Sequence, residues 1–360
     1  MTTASSAILL YCRAGFEADC AAEIMARAAA LGVTGYVRAR DDYGYLMLHV
    51  TEPGGLEHLG HELHWQDLVF PRQWLLARSD AIQLPPADRV TPILQALRDT
   101  GLTGSYADLW LEYPDTNEGK QISGLARRLR PALVRTLAGA GIRMDDAGAS
   151  RRLHLFFPDF EHALIAETVV AHSTPFVNGI PRLRQSRHAP SRSGLKLDEA
   201  IQLLMSAAQR DILLAPGGTA ADLGAAPGGW TWQLVRRHMH VTAVDNGPMQ
   251  ADLMDSGLVE HQRADGFRFR PAKPVDLVVC DMVEKPARVA ALMAQWLDQG
   301  WCRAAIFNLK LPMRTRYRQV TECLARLPDT GPAGRWQVRC RHLYHDRDEV
   351  TVCVLPAETA

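Results

Sequence analysis

The stretch Ala220–Trp230 reads A-A-D-L-G-A-A-P-G-G-W, and it limits what the chain can fold into more than any other. An apolar entry runs into Asp222, then a glycine-rich turn, then residues that open a helix. Glycine lets a backbone approach a ligand and adopt angles that a Cβ forbids. A helix start offers unpaired N–H groups and the positive end of a dipole. Strand, tight turn and helix start in that order form the ligand-facing turn of a doubly wound α/β domain. The glycine spacing is neither G-x-G-x-x-G nor the Walker lysine pattern.

The rest of the C-terminal half alternates in the same way. Strands are expected at Ala220–Gly224, Val241–Asp245, Val259–Ala264, Val275–Asp281 and Ala304–Leu309, with Trp336–His342 and Val350–Leu355 as a closing antiparallel pair. Helices are expected at Leu195–Ala207, Gly229–Arg237, Pro286–Trp296 and Arg314–Leu327. That is a mostly parallel, Rossmann-like sheet with a terminal hairpin. Ligands in such a sheet bind outside the carboxyl ends of the strands. Asp222, Asp245, Asp265 and Asp281 stand at four of these ends. One is an ordinary polar terminus; four beside a glycine turn suggest a nucleoside-type cofactor. Without a phosphate-binding fingerprint, S-adenosylmethionine fits best: ribose on Asp245, adenine near Asp265, and the methionine end by Gly228 and Gly229.

The N-terminal half is organised differently. Residues 1–78 alternate β-α-β-β-α-β, as in a ferredoxin-like unit. Residues 79–178 suggest a second α+β unit. Its long helix, Gln121–Leu137, carries Arg127, Arg128, Arg130 and Arg135, either a solvated face or a set of phosphate contacts. Residues 179–194 form a linker, and residues 195–360 the α/β domain. Pro181–Lys196 overlaps that linker and holds five Lys or Arg residues and no acidic one, which suits either a plain linker or a strap that guides a polyanion. Lys plus Arg equals Asp plus Glu at 40 each, so no global basic field exists and nucleic-acid contact must rest on local patches. Seven cysteines without a C-x-x-C pair argue against a zinc ribbon or a disulfide framework, so no metal is expected. Reduced thiols, no signal-type N-terminus and no apolar run of ~18 residues suggest a cytoplasmic protein without a membrane span.

Motif content narrows the reaction. An N/D-P-P-Y/F segment, used in amino methyl transfer to bases, is absent; its place reads D-M-V-E-K-P. No Pro-Cys dipeptide offers the nucleophile of pyrimidine C5 methylation. The strand ends offer lysine instead. Lys310 closes the fifth strand, Lys196 begins the helix entering the domain, and Glu349 precedes the last strand. With Asp281 these form either a structural ion-pair network or a set that activates an alkyl hydroxyl. In the second case one lysine, its pKa lowered by burial and by the other lysine, takes the hydroxyl proton.

The segments A-P-S-R-S-G-L-K-L, D-L-G-A-A-P-G-G-W-T, C-D-M-V-E-K-P, F-N-L-K-L-P-M and Y-H-D-R-D-E-V-T-V resemble the bacterial large-subunit rRNA methyltransferase M family. The resemblance spans the chain, since Y-C-R-A-G-F-E-A-D-C-A-A-E-I and D-T-N-E are similar to its N-terminal half. It implies a ribose 2′-O-methyltransferase acting on a cytidine of 23S rRNA, with a THUMP RNA-binding module in the second unit. It further implies a catalytic tetrad of Lys310, Lys196, Asp281 and Glu349, with Lys310 as proton acceptor. The cofactor-binding residues it implies are Ser193, Ala226, Pro227, Gly228, Gly229, Asp245, Asp265 and Asp281. The turn departs from the family in carrying Ala226 where A-C-P-G-G is expected. A monomer acting on naked rRNA or an early assembly particle is expected. The competing readings are a THUMP-bearing base methyltransferase and a non-catalytic RNA-binding assembly factor. Tyr317 and Trp230 are candidates to stack on the target nucleotide.

Overall fold

The computed structural model describes residues 7–328 and 334–357. The chain divides into two compact units, one ending at Pro181 and the other beginning at Arg182.

The first unit opens with β1 (Ala7–Tyr11), α1 (Glu17–Ala30), β2 (Gly35–Ala39), β3 (Tyr45–Val50), α2 (Gly55–Glu62) and β4 (Gln73–Ala77). It continues with β5 (Ile82–Gln83), α3 (Val90–Asp99), β6 (Gly104–Ser105), β7 (Leu109–Glu112), α4 (Asn117–Gly139), β8 (Ile142–Arg143), β9 (Arg151–Phe156) and β10 (His162–Val169). Its main sheet runs β2-β3-β1-β4-β10-β9-β7, and the first four strands have the ferredoxin-like order. β4 pairs antiparallel with β10, so one sheet continues across residue 78. A 3-10 turn at Trp65–Asp67 precedes β4.

Helix α4 shows how patterning sorts charge. Ile122, Ala126, Leu133 and Leu137 are buried in the core, and helical spacing leaves Arg127, Arg128 and Arg135 exposed. Arg130 is engaged by Asp108 at 2.6 Å and Asp145 at 3.3 Å. The helix starts four residues before the expected Gln121, because the Thr116 hydroxyl accepts from Gly119 N at 3.0 Å and caps it.

A buried polar cluster holds this unit together. Glu112 accepts from the Tyr11 hydroxyl at 2.9 Å and from Asn178 N at 2.6 Å, and lies 2.7 Å from His154 Nδ1. His154 Nε2 meets Thr168 Oγ1 at 2.9 Å, so a ring protonated on Nδ1 satisfies both partners. Burial, then the Glu112 charge, push the Tyr11 hydroxyl well above its usual pKa and keep it a donor.

The second unit runs α5 (Gly194–Leu204), α6 (Ala207–Leu213), β11 (Thr219–Leu223), α7 (Gly229–Val235), β12 (His240–Val244), α8 (Ala251–Met254), β13 (Val259–Gln262) and β14 (Leu277–Cys280). It ends with α9 (Pro286–Asp298), β15 (Ala305–Lys310), α10 (Arg316–Leu324), β16 (Trp336–Arg341) and β17 (Glu349–Pro356). The sheet order is β13-β12-β11-β14-β15-β17-β16. It is parallel from β13 to β15, while β17 pairs antiparallel with β15 and β16. The expected helix to Ala207 ends at Leu204, and α6 follows on a Ser206–Gln209 capping box. Among the described residues no helix is long and apolar enough to cross a membrane.

Glu112→Ala strands three buried partners at once. It is expected to cost about 3–5 kcal/mol of unfolding free energy, measured by chemical denaturation; a cost below ~1 kcal/mol would show the cluster to be incidental.

Candidate active site

Sheet topology brings four charged side chains to one place. β14 delivers Asp281 just past its last residue, and β15 ends on Lys310. Antiparallel pairing sets Lys310 opposite Glu349, the first residue of β17. Lys196 lies in the first turn of α5. Lys310 Nζ donates to Asp281 Oδ1 at 2.7 Å and to Glu349 Oε2. Lys196 Nζ donates to Asp281 Oδ2 at 3.3 Å and pairs with Glu349 Oε1. Each cation therefore bridges the same two carboxylates, and the cluster sums to zero charge.

The surroundings fix these groups. Asn308 Nδ2 donates to Asp281 Oδ1 at 2.9 Å, and the Thr351 hydroxyl donates to Asn308 Oδ1 at 2.8 Å. Asn308 and Lys310 lie two apart on β15, hence on one face, as do Glu349 and Thr351 on β17. Glu199, one turn after Lys196 on α5, accepts from Tyr344 N at 2.8 Å and His345 N at 3.0 Å. It thereby ties the lysine-bearing helix to the loop that leads into Glu349.

The Lys310 pKa corrects the expectation. Burial pulls it down, as anticipated, but the adjacent charges of Asp281 and Glu349 and their hydrogen bonds outweigh burial, and the net shift is upward. In the resting cluster Lys310 is held protonated.

Beside the cluster lies a cavity of about 410 Å³, lined by Gly224, Ala226, Asp245, Asp265, Asp281 and Glu284 among others, with Val244, Phe267, Met282 and Val283 as apolar walls. Among the described residues no Lys, Arg or His contributes to the lining. Such a wall repels phosphates and suits a nucleoside carrying a positive charge. Asp245 is held for the task, since its Oδ1 accepts from Gly247 N at 2.7 Å and its Oδ2 from Ala226 N at 3.1 Å. The second contact uses backbone, so alanine at 226 serves as well as cysteine. Asp265 Oδ1 accepts from Phe267 N at 2.9 Å and lies beyond β13, three residues past its end.

Other predicted residues stand elsewhere. Pro227, Gly228 and Gly229 make the turn into α7. Gly228 has φ +114, and a Cβ there would strike Leu253. The Ser193 hydroxyl meets that of Ser191 at 2.7 Å, and both would contact a Cβ on Gly229, so Ser193 packs on the turn rather than lining the cavity. Asp222 does not face the ligand side. It is buried within β11, accepts from the Thr231 hydroxyl at 2.6 Å, and is pushed by burial to a pKa of about 7. Trp230 is also buried and donates Nε1–H to Ser193 O at 2.9 Å, so it cannot stack on a nucleotide. Tyr317 lies in the first turn of α10, half-buried. Cys280 is buried beside Asp281 with its thiol pushed up to about 12, which removes it as a nucleophile.

A parallel sheet with an acidic, nucleoside-sized cavity at its strand ends, next to paired lysines, defines the class of S-adenosylmethionine-dependent methyltransferases. Comparison with known proteins makes this specific. Residues 5–75 match the RlmM ferredoxin-like domain, residues 88–168 the ribosomal RNA large subunit methyltransferase M N-terminal family, and residues 189–296 the FtsJ-like methyltransferase family. The chain is 48% identical over 351 residues to ribosomal RNA large subunit methyltransferase M of Xanthomonas oryzae pv. oryzae, covering 97% of this chain and 99% of the relative. The Stutzerimonas stutzeri protein of the same name is 51% identical over 347 residues, covering 96% and 97%. The chain belongs to the ribosomal RNA large subunit methyltransferase M family. It is an rRNA methyltransferase that uses S-adenosylmethionine.

The buried Asp222 carries a pH signature. Its folded pKa lies above the unfolded value, so the native state binds the extra proton and stability falls as pH rises from ~4 through 7. Asp222→Asn keeps an acceptor for Thr231 and is expected to flatten that decline, by on the order of 1 kcal/mol for each pH unit removed. Denaturation midpoints at pH 5 and 8 test it; an unchanged difference between them would contradict the assignment.

Proposed function

We propose that the chain methylates the ribose 2′-hydroxyl of a cytidine in 23S rRNA, with Lys310 as proton acceptor. The observation that carries this reading is the bridging of Lys310 and Lys196 by Asp281 and Glu349 at the edge of the acidic cavity. Bound S-adenosylmethionine supplies an electrophilic methyl group on a sulfonium. Asp245 receives the ribose hydroxyls of the cofactor, Asp265 the adenine edge, and Ala226–Gly229 bound its methionine end beside Ser193. Asp281 serves both groups, since it lines the cavity and orients both lysines.

The 2′-oxygen would give its proton to Lys310 Nζ as it takes the methyl carbon, whose bond to sulfur would break with the electron pair returning to sulfur and leave a neutral thioether. That amine must be neutral, so the resting proton leaves before the acceptor is used. Glu349 and Asp281 then stabilise the ammonium formed by transfer. Lys196 balances the two carboxylates and keeps Glu349 aimed at Lys310. Little covalent work falls to the protein beyond positioning and proton uptake.

The reading extends to the rest of the chain. Residues 1–78 serve as the ferredoxin-like domain, 79–178 as a THUMP RNA-binding module, 179–194 as a basic linker and 195–360 as the methyltransferase domain. The exposed Arg182, Arg184 and Arg187 meet rRNA phosphates, on naked rRNA or an early assembly particle. The protein works as a monomer in the cytoplasm.

Lys310→Ala is expected to abolish transfer to an rRNA transcript while S-adenosylmethionine still binds by calorimetry. Retained turnover, or a methyl group found on a base after digestion to nucleosides, would overturn the reading. Because its carboxylate neighbours raise the Lys310 pKa, kcat should climb with pH into the alkaline range. Glu349→Gln removes one of those charges and should move the climbing limb to lower pH; a fixed limb would assign the proton to another group. Neutralising Arg182, Arg184 and Arg187 together should weaken rRNA binding and flatten log K against log salt by up to about three phosphate contacts.

A further inference from the structure

Single exposed apolar side chains are common on protein surfaces and say little. Val283 and Met313 differ in degree and in place. They are 90% and 89% exposed, against 58% or less for the other large apolar side chains at the surface among the described residues. Val283 stands two residues after Asp281 and Met313 three after Lys310. Those two charged residues are bonded at 2.7 Å. At ~3.5 Å per residue, each apolar side chain springs from backbone within about 11 Å of the tetrad residue it follows.

Both loops hold these side chains outward. Met282 packs so closely on the backbone of Gly224 that a Cβ there would lie 2.6 Å from its Cγ, and the next residue, Val283, faces solvent. The far end of that loop is tied by the Glu284–Arg288 ion pair and by Pro286 at the start of α9. Leu311, buried, donates its N–H to Asp348 O at 2.8 Å. Thr315, at φ +58, caps α10 through Gln319 N at 3.0 Å. Met313 stands between these two pins. Exposed cations adjoin both positions, Lys285 in one loop and Arg314 in the other.

We propose that Val283 and Met313 form an apolar rest for rRNA bases at the acceptor site. This deepens the reading of Lys310 as the acceptor-side lysine and rests on it. A nucleotide that presents its sugar to Lys310 must leave its stack and lose contact on the faces of its base. The valine methyls and the polarisable methionine sulfur replace that contact, and the neighbouring cations meet the flanking phosphates. Contact on base faces holds a nucleotide without reading its edges, so these two residues set position and not sequence. A second copy of the chain seated here would shut the path to Lys310, which a polymer substrate needs open.

The test uses the full chain, S-adenosylmethionine and a large-subunit rRNA transcript. Met313→Ser and Val283→Ser are each expected to lower kcat/KM for the transcript by about tenfold or more. Met313→Leu should stay within about twofold of the unsubstituted protein. Cofactor affinity of Met313→Ser, measured by calorimetry, should be unchanged and reports an intact fold. Val283 also lines the acidic cavity, so Val283→Ser supports the proposal only if its cofactor affinity is unchanged, and weakened cofactor binding in that variant overturns Val283's part. Undiminished kcat/KM in Met313→Ser overturns the proposal. So does loss of self-association in gel filtration with rRNA turnover unaffected, which would mark the face as a contact between copies. Full activity of Lys310→Ala would instead overturn the acceptor role, whatever the serine variants do.

Discussion

Lys310 faces Glu349 across an antiparallel strand pair, and the other charged groups of the site are arranged around that register. A slip of one residue in either strand would put the two side chains on opposite faces of the sheet. The register is secured one step inside the sheet, where Asn308 opposes Thr351 and the two are hydrogen-bonded. Asn308 also holds Asp281, just past the end of the neighbouring parallel strand, so the ends of three strands are tied through one amide side chain. The four charged side chains are between 6% and 25% exposed, and each lies against two of opposite sign. Deleting any one leaves an uncompensated charge beside the others, which explains why such a cluster is tightly built.

Helix α5 adds a second constraint on the same site. It supplies Lys196 to the cluster and, one turn later, Glu199 to the loop ahead of β17. A shift of this helix would disturb a cation and the approach to an anion together. The helix and the hairpin thus form one rigid frame around Lys310, although about 150 residues separate them in sequence.

Much of this was legible in the chain, and the remainder failed for identifiable reasons. Alternation of strands and helices, with lysine and aspartate at neighbouring strand ends, sufficed to place Lys310 near Asp281. Glu349 needed one more inference, that the last strands return antiparallel. Asn308 was within reach by the two-residue period of a strand but carries no charge to draw notice. Asp222 looked like the other strand-end carboxylates, because composition cannot tell which way a side chain points. It points toward α7 and Thr231. Trp230 was misread for the same reason. The Lys310 shift went the other way because burial and the other lysine, both expected to lower it, are outweighed by two bonded carboxylates that decide the sign. The cavity walls come largely from residues just past the strand ends, where loops offer no periodicity to read.

The sign of the cavity's charge bears on the end of the reaction as well as its beginning. If the cavity holds the donor as proposed, its wall of carboxylates is matched to a cation. Methyl transfer turns that cation into a neutral thioether of almost the same shape. The electrostatic part of the attraction then vanishes while the apolar contacts remain. On that placement the spent cofactor would lose the electrostatic part of its hold, and charge alone would distinguish it from the fresh one.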